Sequence, residues 1–164
     1  MRKFITYVTA AGLFALTCSA VIAATMSALS SMDTQTAKVA KTPYAVMFTG
    51  DTTAAIKIEG TKITVLRAGD YYLNAAAQIG GNGTGDVYLW LRVNGKDVED
   101  SNSVQTVSSP TFTAVLVAQT GITFNKGDVL EIMYAATAPG LGLIASKPAG
   151  MPGVPAIIMS LFEM

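Results

Sequence analysis

The chain has 164 residues, which suits one domain, and it is 51% hydrophobic but only 13% charged. Eleven basic residues balance eleven acidic ones, so no basic field for nucleic acid is implied. The absence of histidine removes the commonest general base and metal ligand, and with it the serine–histidine and cysteine–histidine routes to nucleophilic catalysis. So little charge leaves much apolar surface to hide, which points to permanent self-association.

Residues 1–23 read as a signal peptide. Arg2 and Lys3 form a positive n-region, Phe4 to Leu16 is mostly apolar, and Val21-Ile22-Ala23 sets up cleavage after Ala23 or Ala24. A transmembrane anchor is the competing reading: Phe4 to Ala24 is long enough to span, but Thr6, Thr9, Thr17 and Ser19 dilute it. Cleavage removes Arg2 and Lys3 and leaves nine basic against eleven acidic residues. The only cysteine, Cys18, lies in the h-region behind Ala15-Leu16-Thr17, a poor lipid-attachment signal. The mature chain then has no disulfide, and its stability rests on its core and on subunit contacts. The expected location is secreted, periplasmic or at the cell surface, with no membrane contact after cleavage.

Residues 24–42 are rich in Ala, Ser, Thr and Met. Met26, Leu29 and Met32 recur every third residue, as in one or two helical turns, but a flexible leader is the assignment for 24–42. From Pro43 the pattern becomes all-β, and residues 43–164 are expected to form one domain. Tyr44 to Phe48, Ala54 to Ile58, Ile63 to Val65 and Tyr71 to Ile79 read as strands separated by Gly50-Asp51, Gly60 and Ala68-Gly69-Asp70. The segment Gly80 to Gly85 reads as a flexible hairpin loop. It precedes a strand rather than a helix N-terminus, so it is no phosphate cradle. Val87, Leu89, Leu91 and Val93 then alternate with Tyr88, Trp90, Arg92 and Asn94, the pattern of a strand with one face in a core. Asn94-Gly95 supplies the dipeptide for a type I′ reversal. Ser101 to Ser109 is a polar edge strand and loop, and Thr111 to Gln119 and Val129 to Ala135 are strands. Leu141 to Ala145 and Pro155 to Met164 close the chain around a Gly/Pro-rich loop. About ten short strands argue an antiparallel sandwich or barrel.

Three of these strands are apolar on both faces: Ala75-Ala76-Ala77, Ala114 to Ala118, and Ile157 to Phe162. One face of an antiparallel sandwich normally meets water, so a second apolar face calls for a cover, most simply a neighbouring subunit.

Four motifs in order carry a resemblance. Ile63-x-Val65 followed by Gly69-Asp70-Tyr71-Tyr72, the hairpin Leu91-Arg92-Val93-Asn94-Gly95, the turn Phe124-x-Lys126-Gly127-Asp128-x-Leu130, and the closing Pro155 to Leu161 resemble the tumour necrosis factor and complement C-one-q globular-head superfamily. The run from Asp86 to Asn102 is most similar to bacterial and bacteriophage members. The resemblance implies a ten-stranded, TNF-like jelly roll that assembles as a homotrimer through the first, last and central strands of its inner sheet. Its implied interface residues are Tyr72, Ala76 and Val115 with Ile157, Met159 and Leu161. The alternates on the last strand are Ile158 and Phe162, because a one-residue slip exchanges the two faces. There is no collagen-like stem, and receptor binding is not carried over.

No catalytic constellation is present and no cofactor is implied. Ser146-Lys147 are adjacent on an extended chain and point to opposite faces. Asp97, Glu99 and Asp100 lie close together after the hairpin, but without calcium-loop spacing they read as a solvated charged loop, and no metal site is assigned. Asn82-Gly83-Thr84 matches an N-glycosylation acceptor, a pattern frequent by chance. Tyr88, Trp90 and Arg92 project from the face opposite the core set and form a candidate face for a glycan or a surface protein. The expected function is therefore an exported, non-enzymatic trimeric module with a structural, adhesive or binding role. The alternatives are a carbohydrate-binding module using Tyr88 and Trp90, and a phage-type virion decoration protein.

Overall fold

The computed structural model describes residues 26–50 and 52–164. The signal peptide expected over 1–23, with Cys18 and the cleavage point, lies outside the described residues. Thirteen strands are present among the described residues: β1 (Met26–Ser31), β2 (Gln35–Thr36), β3 (Tyr44–Ala45), β4 (Ile56–Glu59), β5 (Lys62–Val65), β6 (Gly69–Gly81), β7 (Gly85–Val93), β8 (Lys96–Asp97), β9 (Ser103–Val107), β10 (Ala114–Phe124), β11 (Val129–Ala136), β12 (Leu141–Leu143) and β13 (Ile157–Glu163). They form two antiparallel sheets packed face to face.

The first sheet is built on β6. Strand β10 runs along one edge of β6 from Gly69 to Ile79. Along the other edge β13 pairs with Tyr71 to Ala77 and β12 with Ile79 to Gly81. Strand β1 then adds outside β13, and β2 outside β12. The second sheet is built on β11, which pairs with β7 along one edge and with β5 and β3 along the other. Strands β8 and β9 complete the far edge of β7, and β4 that of β5.

Period-two patterning explains the packing. On β7 the side chains of Val87, Leu89 and Leu91 are fully buried, while Tyr88, Trp90 and Arg92 face outward. Leu73, Ala75, Ala77 and Ile79 of β6 and Leu116 of β10 line the facing side of the same core, and Ile132 of β11 joins the β7 set from the neighbouring strand of its own sheet. Tyr71 is also wholly buried; its hydroxyl donates to the Arg67 carbonyl at 3.0 Å, and its ring meets Phe124 edge-on. Burial raises the pKa of this phenol, followed by the nearby Glu163 carboxylate.

Two sequence expectations need correction. Residues 26–42 are not a leader: β1 pairs with β13 over its whole length, and Leu29 and Ala37 enter the core. The strand was hidden because two of its three inward positions are serines. Ser27 bonds Thr53 Oγ1 at 2.9 Å, and Ser31 Oγ accepts from Gln35 Nε2 at 3.0 Å, so both hydroxyls are satisfied inside. The glycine-rich segment is also not a flexible hairpin loop, because the strands on its two sides, β6 and β7, belong to different sheets. Strand β6 extends to Gly81 and β7 starts at Gly85, each with positive φ (131° and 143°). A Cβ on Gly81 would collide with the Gly140 carbonyl oxygen, so the glycine permits a close backbone approach.

Candidate functional site

Two outward faces of the sandwich differ from an ordinary solvated surface. The first belongs to the sheet of β1, β13, β6 and β10. Pairing places Met26, Phe162, Tyr72 and Gly121 in one row across it. The row of Ala28, Ser160, Asn74 and Gln119 follows, and then that of Ser30, Ile158, Ala76 and Val117, with Gln78 opposite Val115 beyond. The face is therefore largely apolar, and its large side chains stand out of the subunit: Met26 is 59% exposed, Val115 65%, Ile158 49% and Phe162 39%. Tyr72 packs beside Phe162 and bonds Gln119 Oε1 at 2.9 Å. Asn74 lies near the centre, where its amide oxygen is buried without a hydrogen-bond partner among the described residues.

This geometry settles the parity of the last strand. Ile157, Met159 and Leu161 are at most 1% exposed and fill the chain's own core. As interface candidates they are corrected: a side chain enclosed between its own two sheets cannot touch a second subunit. Their alternates Ile158 and Phe162 share the outward face with Tyr72, Ala76 and Val115.

The second surface is a cleft of about 500 Å³ on the outward face of the other sheet. Tyr88 and Trp90 of β7 form its floor beside Ala135 of β11, the cross-strand partner of Tyr88. The small Ala135 methyl leaves a depression between bulkier neighbours. One wall is the chain from Asp97 to Asn102, and the other is Lys41 and Pro43. The Lys41 amide donates to the Ala136 carbonyl at 2.7 Å and so fixes its wall to the end of β11. The opposite wall hangs on Ser101, which is buried. Its hydroxyl donates to the Val98 carbonyl at 2.7 Å and accepts the Leu91 amide at 3.0 Å.

Arg92 does not line the cleft. It lies opposite Asp97 across the β7–β8 ladder, and its Nε donates to Asp97 Oδ1 at 2.8 Å. The Trp90 indole N–H donates to the same oxygen at 2.7 Å. These two bonds, Arg92 first, hold the Asp97 carboxyl below the ordinary carboxylate value. Asp97 is thereby an anchor for the tryptophan ring. Among the described residues no group of three or more acidic or thiol side chains is arranged to hold a metal ion.

Sequence reasoning found Tyr88 and Trp90 by alternation. It missed Lys41, Pro43 and Ala135, which reach the cleft only through the chain's packing against the end of β11 and the pairing of β7 with β11, and it missed Ser101, which holds the 97–102 wall from behind. Ser101 does lie within the Asp86–Asn102 run that carries the resemblance, so that motif held a signal for it.

No protein-family profile and no curated protein matches the chain. Solved structures do. Murine APRIL at pH 5.0 superposes with a TM-score of 0.61 at 11% identity, covering 85% of this chain and 98% of that one. Murine APRIL at pH 8.0 gives 0.56 at 12% identity, over 85% and 100% of the two chains. The fold is a TNF-like jelly roll. At this level of identity the likeness fixes the TNF-like architecture and carries no function with it. Within that architecture the apolar face and the aromatic cleft lie on opposite sides of the sandwich.

Proposed function

We propose that the chain is an exported, non-enzymatic module of bacterial or bacteriophage type that assembles as a homotrimer through the outward face of the β1–β13–β6–β10 sheet. The single observation that carries the reading is that face. Met26, Phe162 and Tyr72 lie in one row and Ile158, Ala76 and Val117 in another, with the row of Ala28, Ser160, Asn74 and Gln119 between them. Scattered exposed apolar residues need no explanation, but a sheet face that carries several large exposed apolar side chains and no charged residue in these rows does. A second copy of the same chain is the occupant that the resemblance implies. A cyclic assembly closes its interfaces and leaves no apolar sheet open for growth.

Export rests on Arg2, Lys3 and the apolar run before Ala23. The work of such a module is to hold a rigid head and present its outer loops. Sedimentation of the protein recovered outside the cytoplasm tests the reading. The expected result is a species of three chains at micromolar concentration with an N-terminus near Ala24. A monomer would overturn the assembly, and an intact Met1 on a soluble cytoplasmic protein would overturn the export.

A further inference from the structure

We infer that the cleft on the outward face of the second sheet is a binding site for a neutral saccharide, with Tyr88 and Trp90 as the stacking floor. This goes beyond the assembly reading and does not depend on it, because the cleft lies on the far side of the sandwich from the apolar face. A trimer formed through that face would carry three such clefts on its outer surface.

Four features point to this ligand class. The floor pairs two aromatic rings with the small Ala135, and an aromatic face packs against the C–H face of a sugar ring while leaving its edge free. The floor is pre-set, because the Trp90 indole N–H is already held by Asp97 and little ordering remains to be done on binding. The walls offer both hydrogen-bond signs: Lys41 donates, Glu99 and Asp100 accept, and Asn102 does both. Among the described residues, none of these four side chains has a hydrogen-bond or ion-pair partner of its own. The acidic wall selects against an anion, which would meet Glu99 and Asp100, and Lys41 stands on the wall facing it. Hydroxyl groups, which donate and accept, serve both. The volume falls in the usual range for a small-ligand site, about 300–1,000 Å³. Lys41 and Asp100 also take left-handed backbone conformations, with φ of 58° and 59°, at the two rims of the cleft.

Trp90 is the only tryptophan, so its emission reports directly on the floor. The test titrates the full mature protein with cello-, manno- and galacto-oligosaccharides, with trigalacturonate as the anionic arm and tetramethylammonium as the cationic arm. At least one neutral series is expected to change Trp90 emission saturably at millimolar concentration. Tyr88→Ala and Glu99→Gln, each checked for an unchanged melting temperature, should weaken that binding at least about tenfold, equivalent to about 1.4 kcal/mol. Read by calorimetry, Trp90→Phe should retain binding that Trp90→Ala loses. A response to no neutral saccharide overturns the inference, as does one confined to trigalacturonate or tetramethylammonium. Unchanged affinity in both Tyr88→Ala and Glu99→Gln would place binding elsewhere and overturn it as well.

Discussion

Asp97 shows how one carboxylate can organise a surface. Its Oδ1 accepts from both Trp90 and Arg92, and those bonds favour the charged form. A carboxyl with a depressed folded pKa contributes stability that is complete above its unfolded value and is lost as pH falls through the folded one. The side chain is 56% exposed, so solvent screening keeps the global effect small, on the order of 0–1 kcal/mol. The local effect should be visible. Trp90 emission should change on acidification with a midpoint below the ordinary 3.8, and Asp97→Asn should remove that transition. A midpoint above 3.8 would contradict the bonding described. Ser101 carries a larger structural role because it is buried and bonded twice. Ser101→Ala leaves the Leu91 amide without its hydroxyl acceptor, and should lower stability by about 1–3 kcal/mol in chemical denaturation. Alternation alone revealed that Tyr88 and Trp90 face outward. Nothing in a serine's neighbours reveals that its hydroxyl will be buried under a returning loop, and that part of the site had to come from the structure.

At the scale of elements, two turns that looked separate in the sequence are one device. Asn94 and Gly95 both take positive φ, 50° and 77°, as their reversal requires. The Asn94 side chain then leaves its own turn. Its Nδ2 donates to Asp128 Oδ1 at 2.9 Å, and its Oδ1 accepts the Val129 amide at 2.9 Å. Asp128 Oδ2 in turn accepts the Asn125 amide at 2.7 Å. The Asn-Gly and Gly-Asp motifs thus bind one another at adjacent ends of β7 and β11. Gly95→Val should destabilise the fold by about 1–3 kcal/mol through backbone strain alone, since no atom lies within 4 Å of the added Cβ. An unchanged thermal midpoint would show that the strain is absent. Asn94→Ala should let the Asp128 carboxyl rise toward 3.8 in a nuclear magnetic resonance titration, because the bond from Asn94 is the first cause of its depression. Strand β7 and this hairpin were legible because alternation and turn chemistry agree there. Strand β1 was not: its inward serines are polar, and only its partner β13 makes it a strand.

On the scale of the whole molecule, the sandwich puts different chemistry on its two outer faces, and β13 shows the division most sharply. Its inward set, Ile157, Met159 and Leu161, pairs across the ladder with Ala77, Ala75 and Leu73 of β6 and closes the core. Its outward set, Ile158 and Phe162, pairs with Ala76 and Tyr72 and belongs to the proposed interface. Neighbouring residues on one strand should therefore fail in different ways when given a charge. Met159→Glu puts an unpaired carboxylate between the two sheets, where breaking the burial balance costs several kcal/mol, about 3–5 by comparison with broken buried pairs. It should abolish cooperative unfolding and native circular dichroism. Ile158→Glu leaves the core intact and places its charge on the outer face between Ala76 and Ser30. It should yield a folded monomer whose melting temperature no longer rises with protein concentration, as that of the unmutated assembly should. Sedimentation and thermal melts across a concentration series separate these outcomes. If Ile158→Glu sediments as the unmutated protein does, the apolar face is not where the copies meet.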